Sequence, residues 1–520
     1  MRRASAISFA LLFCAVLAAA QSRDVDVLHY RIEVDVPAAG NEIAARAELT
    51  VRPLAPLASL ELDLAGMTID EVTIERAAAG YERVGERLRI DAGGRAEPFR
   101  VRIRYHGAPT DGLFLRDNKH GQRGVFADNW PNRAHHWFPS VDHPSDKATV
   151  EFVIVAPATY DVVANGARVE SAILPDGMRR THWREAAQIP VHCMVFGATE
   201  FAVVRMGEWK GTEIAYYLYP LDREHGIREF GRTGKMFELY STLVGPYPYS
   251  KLALVESSTR FGGMENASAI FLDEKRIDGQ GSMEGLAAHE IAHQWFGDSV
   301  SQTQWADLWL SEGFATYFAH LFFESADGHA VFAQRMRDSR ENYLKANREQ
   351  ERPIHDAAAT NLFDLLNKFT YDKGAWVLHM LRGMMGDDAF FAAVRDYYTA
   401  YRDRNASTAE LRMIMERHAG QPLDWFFRQW IFEAGHPQYA LDWAWSEGKV
   451  QVTIEQKQSG TLFRMPVVIE LRGEGAARRE TVLVDERRER VEIASEQQPV
   501  TVVLDPDEAV LKEIVPAQVP

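Results

Sequence analysis

Cysteine is almost absent: the 520 residues hold two, Cys14 and Cys193. Cys14 falls in an N-terminal apolar run, so the remaining chain has one thiol and cannot close an internal disulfide. Stability must come from packing instead. Long apolar runs are also lacking beyond residues 7–17, which excludes a polytopic membrane protein. Positive charge is in deficit. Lys and Arg number 58 against 74 Asp and Glu, a net charge of −16. That balance argues against general binding to nucleic acid or anionic lipid, although it leaves room for a local basic pocket. Internal repeats, heptad runs and low-complexity linkers are missing as well. With 46% hydrophobic and 25% charged residues, disorder is excluded as the dominant state. The length suggests about two to four domains.

Residues 1–20, MRRASAISFALLFCAVLAAA, combine Arg2 and Arg3, a short apolar stretch and the small residues Ala18, Ala19 and Ala20. This is the pattern of a secretory signal, expected to be cut near Ala20–Gln21. Phe13 before Cys14 is too bulky for a lipidation signal. The expectation is an exported protein, periplasmic or extracellular, with no stable membrane insertion after cleavage. Cys193, in VHCMVF, reads as a buried strand residue.

From 29 to 105 apolar residues alternate, as in Tyr30, Ile32, Val34 and Val36 or Phe99, Val101, Ile103 and Tyr105. Period-2 patterning predicts antiparallel sheet, and it resumes at 149–156 and 160–166. We therefore expect an N-terminal β-domain over 21–220. The texture then turns helical. Strands are expected at 251–256 and 268–274 around a Gly-rich turn. Helices are expected over 283–296, 307–325, 372–385 and 387–402, with a capping box at Ser407-x-x-Glu410. This gives an α-rich domain over 221–436. Alternation returns after Pro437 and predicts a small β-sandwich over 437–520.

The strongest chemical signal is HEIAH at 289–293. His289 and His293, at i and i+4, share one helix face about 5–6 Å apart. A zinc ion about 2.0–2.1 Å from each ring nitrogen can bridge them. Glu290 lies beside such a metal, where it can take a proton from water. Zinc needs a third protein ligand. Glu312, in WLSEGFATYF on the next predicted helix, supplies a carboxylate among aromatic residues, where charge is costly unless it meets a cation. Asp298, Asp307 and His320 could orient the ligands, but each also reads as an ordinary cap or surface residue, and none is counted in the site.

RFGGMENASAIF at 260–271 is the second signal. Gly262 and Gly263 permit close backbone approach, and a strand edge there could pair with a peptide; Glu265 follows directly. GGMEN at 262–266, HEIAH at 289–293 and Glu312 together resemble the zinc aminopeptidase family of aminopeptidase N and leukotriene hydrolase. FTYDKGAWVL (369–378) and HHWFPSVDHPSDKATVEF (135–152) extend the resemblance over about 29–515. It implies a multidomain α+β fold. An N-terminal antiparallel β-domain would precede a thermolysin-like α-rich zinc catalytic domain and a small C-terminal β-sandwich, without the large helical C-terminal domain of many members. It further implies one zinc ion on His289, His293 and Glu312, with Glu290 as general base. Tyr371 would hydrogen-bond the oxyanion, Glu265 would bind the substrate's free α-amino group, and Gly262, Gly263 and Met264 would line the peptide path.

Two departures stand out. The family usually places a Glu or Gln in the N-terminal domain as a second amine anchor. Counting back from Asp142, that place falls on Trp130, with Asp128 and Asn129 as possible replacements. The missing helical domain predicts a more open cleft, suited to longer peptides. The reading is thus a metallo-aminopeptidase acting on peptides with a free N-terminus. Rival readings are a zinc endopeptidase, a lipid epoxide hydrolase on the same scaffold, and a catalytically silent peptide-binding module. The motifs do not fix oligomeric state or the preferred N-terminal side chain.

Overall fold

The computed structural model describes residues 24–474 and 477–517. The expected export signal over 1–20, with Cys14, lies outside the described residues.

The alternating N-terminal stretch folds as predicted into β-sheet. Its largest sheet has eight strands, with Val25–Asp35, Ile43–Pro53 and Phe99–Gly107 adjacent near its middle. Every second side chain of these strands, among them Tyr30, Ile32, Val34, Ala47 and Leu49, is buried, while the intervening charges face water. One pair departs from the antiparallel expectation: Val25–Asp35 runs parallel to Lys147–Pro157. Between those strands the chain builds a three-stranded sheet and half of a four-stranded one, so it returns in the same direction.

A five-stranded sheet follows, in the order Ala202–Trp209, Thr212–Leu218, Lys251–Ser257, Ala269–Asp273, Gly263–Met264. It draws strands from both sides of position 220. Its three central strands are parallel and buried, and the two-residue strand Gly263–Met264 lies at its edge. Helices pack beside it. Glu284–His293 contacts Trp309–Asp327, which in turn packs on Gly374–Met385. The capping box at Ser407 and Glu410 forms and starts the helix Thr408–Ala419. After Pro437 come two small sheets of four and three strands, with Val452, Ile454, Val467 and Ile469 in their core. Among the described residues no helix is long and apolar enough to cross a membrane.

Cys193 is buried, but in the short turn Val191–Cys193 rather than in a strand. Its thiol donates to Asp298 Oδ1 at 3.3 Å, so it bridges the N-terminal β region and the helical region.

Candidate functional site

The helix Glu284–His293 carries both histidines on one face, and the helix Trp309–Asp327 brings Glu312 to them in its first turn. His289 Nε2 and His293 Nε2 are 3.0 Å apart. Glu312 Oε2 lies 3.2 Å from the first and 3.3 Å from the second. Tetrahedral ligands about 2.0–2.1 Å from one ion are themselves about 3.3 Å apart. The three atoms therefore form one face of a tetrahedron of the right size for zinc, as expected from the spacing.

Neighbouring groups fix the candidate ligands. His293 Nδ1 donates to the carbonyl of Phe296 at 3.0 Å, which leaves Nε2 as the lone-pair nitrogen of the neutral ring. Ser311 Oγ lies 2.9 Å from the same Nδ1. His289 stacks on the Tyr371 ring, with centroids 5.7 Å apart and planes 11° from parallel. Two glycines let the two elements approach closely. A Cβ on Gly313, next to Glu312, would lie 3.0 Å from backbone atoms of Gly374, and the reverse holds. With no side chain at either position, the turn bearing Tyr371 packs directly on the helix bearing Glu312.

Glu290 and Glu265 are buried in the same cavity, which Met264, Gly263, Tyr371, Phe261, Leu366 and Trp130 also line. Gly262 is not among the lining residues; its carbonyl accepts from the Asp273 amide at 2.9 Å. Gly263 serves a purpose that its sequence context does not reveal. A Cβ there would come within 2.2 Å of Glu290 Oε1, so glycine lets the edge strand pass the carboxylate.

The electrostatics call for a cation. Burial pushes Glu290 well above the usual carboxylate range and Glu265 up to about 7. Burial opposes charge on Glu312 too, but the imidazoles of His293 and His289 hold it down at about 2. Burial works against a charged His293, yet Glu312, Glu265 and Glu290 push it up to about 10. Burial, reinforced by Glu312, raises the Tyr371 phenol well above its ordinary range, so it stays protonated and can donate. Several carboxylates thus surround two imidazoles with no Lys or Arg among the cavity residues. That is the environment a divalent cation fits.

The other candidates separate cleanly. Asp298 accepts from Gln294 Nε2 at 2.8 Å and from Cys193. Asp307 accepts from Thr408 Oγ1 at 2.6 Å, and His320 Nε2 lies 3.0 Å from Ser339 Oγ. None of these bonds reaches a candidate ligand. Neither proposed replacement for the second amine anchor is free. Asp128 pairs with Arg133 and accepts from the Arg260 amide at 3.2 Å. Asn129 donates to the Met194 carbonyl at 2.7 Å and accepts from Trp137 at 2.8 Å. Trp130 lines the cavity instead, packed edge-on against Phe261, Trp305 and Phe363. Gln294, which the sequence reading missed, hydrogen-bonds to the Glu265 carbonyl; its position directly after His293 was the available signal.

Comparison with known proteins points the same way. The family model of the peptidase family M1 domain matches residues 228–430, and that of the peptidase M1 N-terminal domain matches 27–192. Probable aminopeptidase 1 of Sulfurisphaera tokodaii is 25% identical over 494 residues, covering 89% of this chain and 60% of that protein. Tricorn protease-interacting factor F2 of Thermoplasma acidophilum is 27% identical over 417 residues, covering 76% and 52%. Human glutamyl aminopeptidase is 26% identical over 335 residues, covering 60% and 34%. The chain thus spans 60% or less of the length of these relatives.

Proposed function

Because the chain belongs to the peptidase M1 family, we propose that it is a zinc-dependent aminopeptidase that removes N-terminal residues from peptides. The observation that carries this reading is the 3.0–3.3 Å triangle of His289, His293 and Glu312, with Glu265 in the same cavity. Those three residues would hold the metal. When bound, zinc supplies Lewis-acid polarisation of the scissile carbonyl and makes water more acidic.

The chain's own groups do the rest. Glu290 takes a proton from the attacking water and hands it to the leaving amine. Tyr371 donates a hydrogen bond to the oxygen on which negative charge develops. Glu265 receives the substrate's α-ammonium, whose free pKa is about 7.7–8.0. The edge strand Gly263–Met264 offers backbone groups to an extended peptide. A carboxylate at fixed reach from the metal measures off one residue, which favours exopeptidase over endopeptidase action. The signal-like residues 1–20 support an exported enzyme, checked by finding a mature N-terminus near Gln21.

The test uses one peptide in free and N-acetylated forms. We expect cleavage of the free form only, lost on chelation and restored by zinc. Equal cleavage of the acetylated peptide would establish an endopeptidase. Binding without cleavage in zinc-replete protein would establish a peptide-binding module.

A further inference from the structure

Gln294 immediately follows the ligand His293 and is fully buried. Its side-chain amide makes four hydrogen bonds. Nε2 donates to the Glu265 carbonyl and, at 2.8 Å, to Asp298 Oδ2. Oε1 accepts from the Ser268 amide at 2.7 Å and from the Tyr247 hydroxyl at 3.0 Å. Two donors and two lone pairs are all that a primary amide has. The orientation is not interchangeable, because a backbone carbonyl only accepts and a backbone N–H only donates.

Two of these bonds seize the segment carrying Glu265 from both sides, at 265 and 268. The far end of that segment is tied separately to a turn and a neighbouring strand. Asn165 Nδ2 donates to the Ala267 carbonyl at 2.6 Å, and Lys251 Nζ donates to the Ser268 carbonyl at 2.9 Å. The Gln294 backbone leaves the metal helix one residue after His293, whose own ring is locked by Phe296 and Ser311. The metal ligand and the carboxylate-bearing segment are therefore joined through one saturated side chain.

This matters because the groups they would bind belong to one substrate residue. The amino nitrogen and the carbonyl carbon of an amino acid are about 2.5 Å apart by covalent geometry. Misplacement by about 1 Å can cost on the order of 10²-fold in rate. We propose that Gln294 is a positioning residue that sets the span between the metal site and Glu265, and so the register of the substrate amine with the scissile carbonyl. The inference rests on the aminopeptidase reading above.

The experiment compares wild type and Gln294→Met on a leucine anilide, with zinc content measured on the same samples. Methionine keeps the volume and removes all four bonds. We expect KM to rise about tenfold with one zinc per chain retained. A residue that only supports folding would lower the active fraction, and with it kcat, while leaving KM unchanged. A KM rise of fivefold or more at unchanged zinc content supports the proposal. A smaller rise, or loss of zinc, overturns it. If Gln294→Met does not fold, Gln294→Glu is judged by the same criterion; it keeps the acceptor for Ser268 and loses the amide donors. Failure of the zinc-replete wild type to cleave any member of a panel of amino-acid anilides would instead overturn the aminopeptidase reading itself.

Discussion

On the water-facing side of the large N-terminal sheet, charges pair along and across strands: Arg31 with Glu33 on its own strand and with Glu151, Arg46 with Glu33, and Arg102 with Glu48. In the cavity Glu265, Glu290 and Glu312 are each at most 5% exposed and gather around two imidazoles. The residue types are similar, but the energetics are opposite. Exposed pairs are screened by water and are worth about 0–1 kcal/mol each. Buried carboxylates lose their hydration, so they must be neutralised, hydrogen-bonded or given a cation. Charge on the sheet keeps the surface wet. Charge in the cavity calls for a cation to balance it.

Four substitutions probe that contrast, from the largest expected effect to the smallest. Glu290→Gln keeps the shape but removes the proposed proton carrier. It should lower kcat on the order of 10²–10⁴-fold, while zinc content and melting temperature stay near wild type. Retained turnover in zinc-replete protein would remove Glu290 from the chemistry. Tyr371→Phe should lower kcat on the order of 10²–10³-fold, the usual loss for one oxyanion donor, with KM little changed. An unchanged rate would leave Tyr371 as a packing partner of His289 only.

Gly313→Ala tests packing rather than charge. Its new Cβ meets the Gly374 backbone at 3.0 Å, where there is no flexible side chain to yield. A loss of about 1–3 kcal/mol should appear in denaturant unfolding. Arg102→Ala, on the outer sheet face, should cost less than about 1 kcal/mol and leave kcat and KM unchanged. If it proved as damaging as Gly313→Ala, the contrast between the two regions would collapse.

Local features were the most legible ones. The i, i+4 pair at His289 and His293, the capping box at Ser407 and the period-2 strands depend on near neighbours, and each forms where the pattern puts it. The helix His329–Glu349 gave little signal because it is polar along most of its length and buries only a few residues, among them Phe332, Met336 and Tyr343. The parallel pairing of 25–35 with 147–157 is a long-range arrangement that alternation cannot encode. Gly263 looked like room for a ligand; its nearest constraint is Glu290, which is remote in sequence. The amide of Gln294 was invisible for the same reason, since three of its four partners lie at 247, 265 and 268. The missing second anchor was legible as a departure. Its consequence needed coordinates, because only packing shows Asp128 and Asn129 already engaged while Trp130 faces the cavity.

The thiol of Cys193 gives the molecule a natural gauge of its own breathing. It is 1% exposed and bonded to Asp298 across the seam between strands and helices. An alkylating reagent can reach it only when that seam parts. The labelling rate in otherwise native protein should therefore follow how often the two halves separate, not ordinary surface reactivity.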